Sequence, residues 1–347
     1  MRLVPRFMSI RLKPLGEQVI VITGASSGNG LATARLAVER GAAVVIAARN
    51  GDALEAIRSE LGAGGGQVEI CLADVAIEAD VERIATTAIA AVGRIASWVN
   101  NAAAATYGSI EQVSIEDHRR IFDVNYFGYL IGCRVAARVL RAGGGGAIVN
   151  VGSILGDRSI VEQGPYCATK HAVQALTDVL RMELERDAAG ISVTLVKPSA
   201  IDTPYPEHAR NYLDTPPRLP PPLYDPALVA DAVLFACATP RRVLYVGGTG
   251  VLASLAGQVA PRLTDLAMEV IGSVIQRAPG DPGRAAMRDN LYEPREDGDT
   301  NGSQKSVVRR TSVALALQKM PFGVVPLAMA GAAMLAAASV VGRRSAS

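Results

Sequence analysis

Histidine and cysteine are scarce, at three and four among 347 residues. His118, His171 and His208 form no ligand cluster in the sequence, which leaves metal catalysis without support. Cys71, Cys133, Cys167 and Cys237 lie far apart and make no CxxC pair. Neither a disulfide frame nor a zinc site is expected, and the four read as reduced core thiols of a cytosolic compartment. Excess charge of one sign is also missing. Thirty-five basic and 33 acidic residues leave +2, which gives no reason to expect a nucleic-acid partner. The N-terminus, "MRLVPRFMSIRLKPLGEQ", lacks a long apolar stretch and a small-residue cleavage site, so it is not read as a signal peptide.

Apolar residues are plentiful: 49% of the chain is hydrophobic and the mean hydropathy is +0.23. Much of this lies in short apolar runs at 18–23, 42–48, 67–73, 95–100, 146–152, 191–197 and 242–248, which read as strands. Segments with helical spacing separate them, and several end in glycine. Strands that are apolar throughout are buried on both faces. The expected fold class is therefore α/β, a doubly wound parallel sheet with helices on either side, forming one catalytic domain over residues 1–250. Ligands then bind beyond the carboxyl ends of the strands. Prolines break the pattern from Pro204 to Pro226, where a substrate lid is expected.

Beyond the last strand, Leu252, Leu255, Val259, Leu266, Val270 and Val274 recur at helical spacing, and residues 251–277 are expected as an amphipathic helical extension. Residues 278–310 are polar and expected as a flexible linker. In the 311–347 tail, Met320 to Gly342 carry no charge, with Lys319 before them and Arg343 and Arg344 after. A bilayer needs ~20 apolar residues, so this run is expected to anchor the chain to a membrane. A frayed Ala-rich tail or a helix docked on the domain is the alternative, since Pro321 and Pro326 weaken its start.

The first strand runs into "TGASSGNG", which places Thr23, Gly24, Ser26, Ser27, Gly28, Asn29 and Gly30 in a glycine turn before a helix. Such a turn brings backbone N–H groups to a pyrophosphate, although tight corners also arise for steric reasons alone. The second strand ends in Ala48 and Arg49, where a nucleotide-binding fold usually carries an acid for the adenosine ribose. A guanidinium suits a 2′-phosphate, so NADP is expected over NAD. Asp74 and Val75 follow the third strand as an adenine contact. Asn101, Ala102 and Ala103 follow the fourth and permit close approach of a cofactor. Tyr166 and Lys170 stand at i and i+4, so they leave one helix face together. A phenol has an ordinary pKa of about 10, and a nearby ammonium lowers it toward the range of a useful acid or base. Ser153, just past a strand end, can hydrogen-bond a carbonyl.

The set Thr23-Gly24-x-x-x-Gly28-x-Gly30, Asn101-Ala-Ala, Asn125, Ser153 and Tyr166-x-x-x-Lys170 resembles the short-chain dehydrogenase/reductase family over about residues 16–250. The resemblance implies a single Rossmann domain, a nicotinamide cofactor and an Asn125-Ser153-Tyr166-Lys170 catalytic set. Tyr166 would be the general acid/base, with Lys170 lowering its pKa and binding the nicotinamide ribose. Ser153 would orient the carbonyl, and Asn125 would hold a relay water. "KPSAIDTP", 197–204, is similar to the family's Pro-Gly element, which makes Pro198, Ile201 and Thr203 cofactor contacts. Asn29, Ala103 and Ser199 depart from the family's usual residues, which touches fine cofactor geometry. The expected function is NADP-dependent interconversion of a ketone or aldehyde with an alcohol, by identical subunits whose catalytic domain faces the cytoplasm. Tyr205, His208 and Tyr212 in the lid favour a lipophilic substrate. The competing reading, an idle nucleotide sensor or scaffold, gives no reason to keep four separated catalytic residues.

Overall fold

The structure is a computed structural model that describes residues 10–278, 287–295 and 297–320. Seven strands form the main sheet: β1 (Val19–Thr23), β2 (Ala43–Ala48), β3 (Val68–Leu72), β4 (Ser97–Asn100), β5 (Gly146–Val151), β6 (Ile191–Pro198) and β7 (Val243–Val246). All pair in parallel, in the order β7-β6-β5-β4-β1-β2-β3. The strand order therefore reverses between β1 and β4, and the crevice beyond their carboxyl ends is where a doubly wound sheet takes its ligand.

Alternation along the strands explains why both faces are apolar. Ile20 and Ile22 of β1 enter one core with Val44, Ile46, Leu31 and Val233. Val19 and Val21 enter the other, with Val45, Trp98, Ile84 and Ile148. Full burial of such side chains is worth about 1.5–3 kcal/mol each. A sheet sealed this way is a rigid support for the loops at its carboxyl edge.

The helices of the doubly wound unit are α1 (Gly28–Glu39), α2 (Gly51–Ala63), α3 (Glu78–Val92), α4 (Ile115–Phe122), α5 (Gly128–Ala142), α6 (Gly164–Arg186) and α7 (Pro226–Ala238). A π turn, Asp123–Phe127, joins α4 to α5. Then come α8 (Gly248–Val259) and α9 (Pro261–Gln276), whose outer faces leave Leu252, Val259, Leu263 and Val270 exposed, and a short α10 (Val313–Lys319). No helix among the described residues is long and apolar enough to cross a membrane. The uncharged run from 320 to 342 lies, beyond Met320, outside the described residues.

Two segments are more ordered than their composition implies. The proline-rich stretch 204–226 is pinned to the domain: Arg210–Asn211 pair with Thr106–Tyr107, and Leu223–Tyr224 pair with Val308–Arg309. Residues 287–295 and 297–310, expected as part of a flexible linker, instead cross the carboxyl edge of the sheet as a strap. Leu291 is buried beside Val75 and Val124. The strap's backbone groups hydrogen-bond to the glycine turn, so backbone pairing holds in place what side-chain composition would leave loose.

Candidate active site

The glycine turn is shaped by contacts only glycine permits. Gly24 and Gly28 have φ of +64° and +53°, the left-handed region that other residues enter at a cost. A Cβ on Gly30 would stand 2.1 Å from the Gly24 carbonyl oxygen. Asn101 braces the turn: its Nδ2 donates to the carbonyls of Thr23 and Gly24 at 3.0 and 3.1 Å, and its backbone N–H donates to Thr23 Oγ1 at 3.0 Å. Thr23, Asn101 and Gly30 therefore form the frame of the turn. Ser26 through Asn29 form its open edge.

Two cavities meet over this edge. The first, about 180 Å³, is lined by Gly24, Ser26 to Asn29, Arg49, Asp74, Val75 and Asn101. Asn290, Pro294 and Asp297 of the strap close it. The second, about 300 Å³, is lined by Ser153, Tyr166, Lys170, Pro198, Ile201 and Thr203. Asn29, Asn101, Ala103, Thr203 and Tyr205 border both. The expected turn, Pro-Gly-like element and Ser-Tyr-Lys trio thus line one continuous crevice. Its outer half is apolar, with Ile154, Leu155, Ile160, Leu219, Met268 and Ile275 on the wall.

Tyr166 and Lys170 project from α6 beneath Ser153, which caps the short turn Ile154–Gly156 by accepting from the Leu155 N–H at 3.1 Å. Burial pushes the Tyr166 phenol well above its ordinary range, and its hydrogen bond with Ser153 opposes this only in part. Burial also pulls the Lys170 ammonium down to about 7. Lys170 Nζ donates to the Val151 carbonyl at 3.0 Å and to the Tyr129 hydroxyl at 3.4 Å, and lies 5.4 Å from the Tyr166 ring centre. Burial is the largest influence on both groups, raising the phenol and lowering the ammonium. Tyr205 packs edge-on against Tyr166 at 5.2 Å and holds Gln163 Oε1 at 2.7 Å, walling off solvent from above.

Asn125 lies in the π turn, fully buried, and reaches neither cavity. Its Oδ1 accepts from the Ala104 N–H at 2.8 Å, while Nδ2 donates to the Ala104 carbonyl at 2.9 Å and to Thr169 Oγ1 at 3.1 Å. Both side-chain N–H groups are thus committed, while Oδ1 accepts one of the two bonds it can. These contacts fix the strand-four loop against α6.

Two residues expected to contact the cofactor also hold partners within the chain. Asp74 accepts from the Ala76 N–H at 2.9 Å and pairs with Arg120 at 2.6 Å, and these donors outweigh its burial, so its carboxyl sits below the usual range. Arg49, expected to be free for a 2′-phosphate, donates to the strap carbonyls of Tyr292 at 2.7 Å, Leu291 at 3.5 Å and Asn290. Sequence reasoning missed Tyr129 as a Lys170 partner and missed the strap entirely. The apolar pair Leu291-Tyr292 inside a polar run was the available signal. Among the described residues, no group of three or more His, Cys, Asp or Glu could hold a metal ion.

A family model described as short chain dehydrogenase matches residues 18–213. The uncharacterized oxidoreductase YxnA of Bacillus subtilis is 44% identical over 314 residues, covering 90% of this chain and 88% of that protein. Among solved structures, a short-chain dehydrogenase from Streptomyces avermitilis aligns with a TM-score of 0.62 at 28% identity, covering 72% of this chain and 94% of the other. One from Burkholderia phymatum, in complex with NAD, aligns at 0.64 and 26%, covering 80% and 99%. An alcohol dehydrogenase from Thermococcus sibiricus, complexed with 5-hydroxy-NADP, aligns at 0.58 and 26%, covering 66% and 95%. The chain belongs to the short-chain dehydrogenase family. It is a dehydrogenase/reductase of the NAD(P)-dependent kind that this family comprises.

Proposed function

We propose that the chain interconverts an apolar ketone or aldehyde with its alcohol, using Tyr166 as the proton donor and acceptor. The observation that carries this reading is the meeting of Ser153, Tyr166 and Lys170 on a cavity wall that continues into the glycine turn. A nicotinamide cofactor, when bound, supplies or takes up the hydride. The left-handed glycines and the close approach at Gly30 fit a turn built for a pyrophosphate. Pro198, Ile201 and Thr203 would border the nicotinamide end. The Ser153 hydroxyl orients the carbonyl oxygen beside the Tyr166 phenol. That phenol, kept protonated by burial, gives up its proton as the oxygen gains charge and recovers it in the reverse direction. Lys170 stands below Tyr166 as the ribose contact and the next proton carrier, and Asn125 positions the loop above. The apolar outer wall favours a lipophilic carbonyl compound over a sugar or an acid.

Arg49 is the one residue whose position in the sequence favours NADP over NAD. Its guanidinium is committed to strap carbonyls, so it no longer argues for either dinucleotide, and the cofactor of this reading is NAD(P). The test is a panel of carbonyl compounds of graded polarity, with NADH or NADPH consumption as the readout, on the wild type and on Tyr166→Phe. General acid–base catalysis contributes ~10²–10⁴-fold, and the variant should lose that much while cofactor affinity holds. Retention of most of the rate would remove Tyr166 from the acid role. Cofactor binding with no turnover on any substrate would favour the idle nucleotide binder.

A further inference from the structure

The strap meets the phosphate turn donor for acceptor. Ser26 Oγ donates to Asp297 Oδ2 at 2.8 Å, the Gly28 N–H donates to the Asp299 carbonyl at 2.8 Å, and the Gly298 N–H donates to the Ser26 carbonyl at 3.0 Å. Asn50 Nδ2 donates to the Arg295 carbonyl at 2.7 Å, and the Arg49 guanidinium is capped by the carbonyls of Asn290, Leu291 and Tyr292. The groups best suited to a 2′-phosphate, Ser26 and Arg49, are thus occupied by acceptors from the far end of the chain. Asp297 lines the first cavity with its side chain 9% exposed. Its Oδ1 has no hydrogen-bond partner, and His208 Nε2 lies 3.5 Å away. Burial holds His208 below its ordinary pKa, so near neutral pH it does not offset the carboxylate.

The end of β2 lacks the acid that would accept from an adenosine ribose, and a buried carboxylate from elsewhere in the chain lines the same cavity as that end. We propose that the strap completes the adenosine side of the cofactor site and that Asp297 determines cofactor choice, making the enzyme selective for NAD(H) over NADP(H). A ribose hydroxyl can donate to a carboxylate with acceptor capacity to spare. A 2′-phosphate dianion would face that carboxylate in a buried site with its natural donors already taken. This rests on the nicotinamide-dependent reading of the site and concerns only which dinucleotide the turn accepts.

Dissociation constants for NADH and NADPH, measured by titrating nicotinamide fluorescence on the full chain, test it without any substrate. The wild type should bind NADH at least tenfold more tightly, the scale of one charge-assisted hydrogen bond. Asp297→Asn keeps the shape and the Ser26 contact but removes the charge. It should tighten NADPH and weaken NADH so that their ratio narrows by about tenfold or more, with the melting temperature recorded alongside. A wild type that prefers NADPH would overturn the proposal even if the variant failed to fold. A folded variant with an unchanged ratio would also overturn it, leaving Asp297 as a pin for the strap. Binding of neither dinucleotide would overturn the nicotinamide reading itself, and this proposal with it.

Discussion

Replacing Lys170 with methionine should flatten a pH dependence of stability that the wild-type chain carries without cofactor. Lys170 is 2% exposed, and its Nζ is held by a carbonyl and a hydroxyl, with no carboxylate among those partners. Burial therefore brings its pKa from the ordinary 10.5 to about 7. In the unfolded chain the amine regains its ordinary value. Between about pH 7 and 10.5 the unfolded chain binds a proton that the folded chain does not, so stability rises with pH across that window. Below it both states are protonated and the slope vanishes. The slope can reach ~1.4 kcal/mol per pH unit, so a change from about pH 7 to about pH 9 should add ~2 kcal/mol. The buried thiols work in the opposite direction. Burial raises Cys133 and Cys237 to about 12, so stability is lost once pH passes the ordinary thiol value of about 8.5. That background is common to both chains and cancels in their difference. Methionine fills the same volume, and Tyr129 still donates to the Val151 carbonyl at 2.8 Å. Urea unfolding of both chains at a series of pH values gives the result directly. The wild type should gain on the variant as pH rises through the window. A difference that is flat or falls would show that Lys170 stays charged in the folded site and that burial does not control its proton.

Gly30→Ala should cost ~1–3 kcal/mol from overpacking, because its Cβ would meet the Gly24 carbonyl at 2.1 Å and Asn101 Nδ2 at 2.6 Å. Dinucleotide affinity should fall with it, by calorimetric titration, and an unaltered affinity would remove the turn from the cofactor site. Leu291→Ala should cost ~2–5 kcal/mol of local packing, enough to loosen the strap. Limited proteolysis should then cut near 287–295 at a markedly higher rate than in the wild type, while equal rates would mean that backbone bonds alone hold the segment.

The parallel sheet was legible because its strands are apolar on both faces, and a run such as "VIVIT" has no other economical use. Ser153, Tyr166 and Lys170 were legible because strand-end and i,i+4 spacing are local, and local geometry survives folding. Asn125 was legible as a site candidate, but its bonds to Ala104 and Thr169 were not, because they depend on the register of a π turn that leaves no mark in side-chain chemistry.

The strap was illegible for a related reason. Its contacts with the turn are mostly backbone to backbone or side chain to backbone, and a backbone carbonyl is the same behind every residue. A polar composition says only that few apolar groups are buried; it does not count N–H and C=O groups that find partners. Arg49 shows the consequence. Judged by its neighbours in sequence, it is an unopposed cation at the mouth of a nucleotide site. In the folded chain three carbonyls from 290–292 surround it, and the carboxylate of Asp297 stands at the same cavity. Reading cofactor choice from the end of β2 assumes that β2 is the only element to put charge at the ribose. In this chain a second element brings the Asp297 carboxylate to the same cavity from beyond the seventh strand, so the end of β2 is not the sole source of charge there.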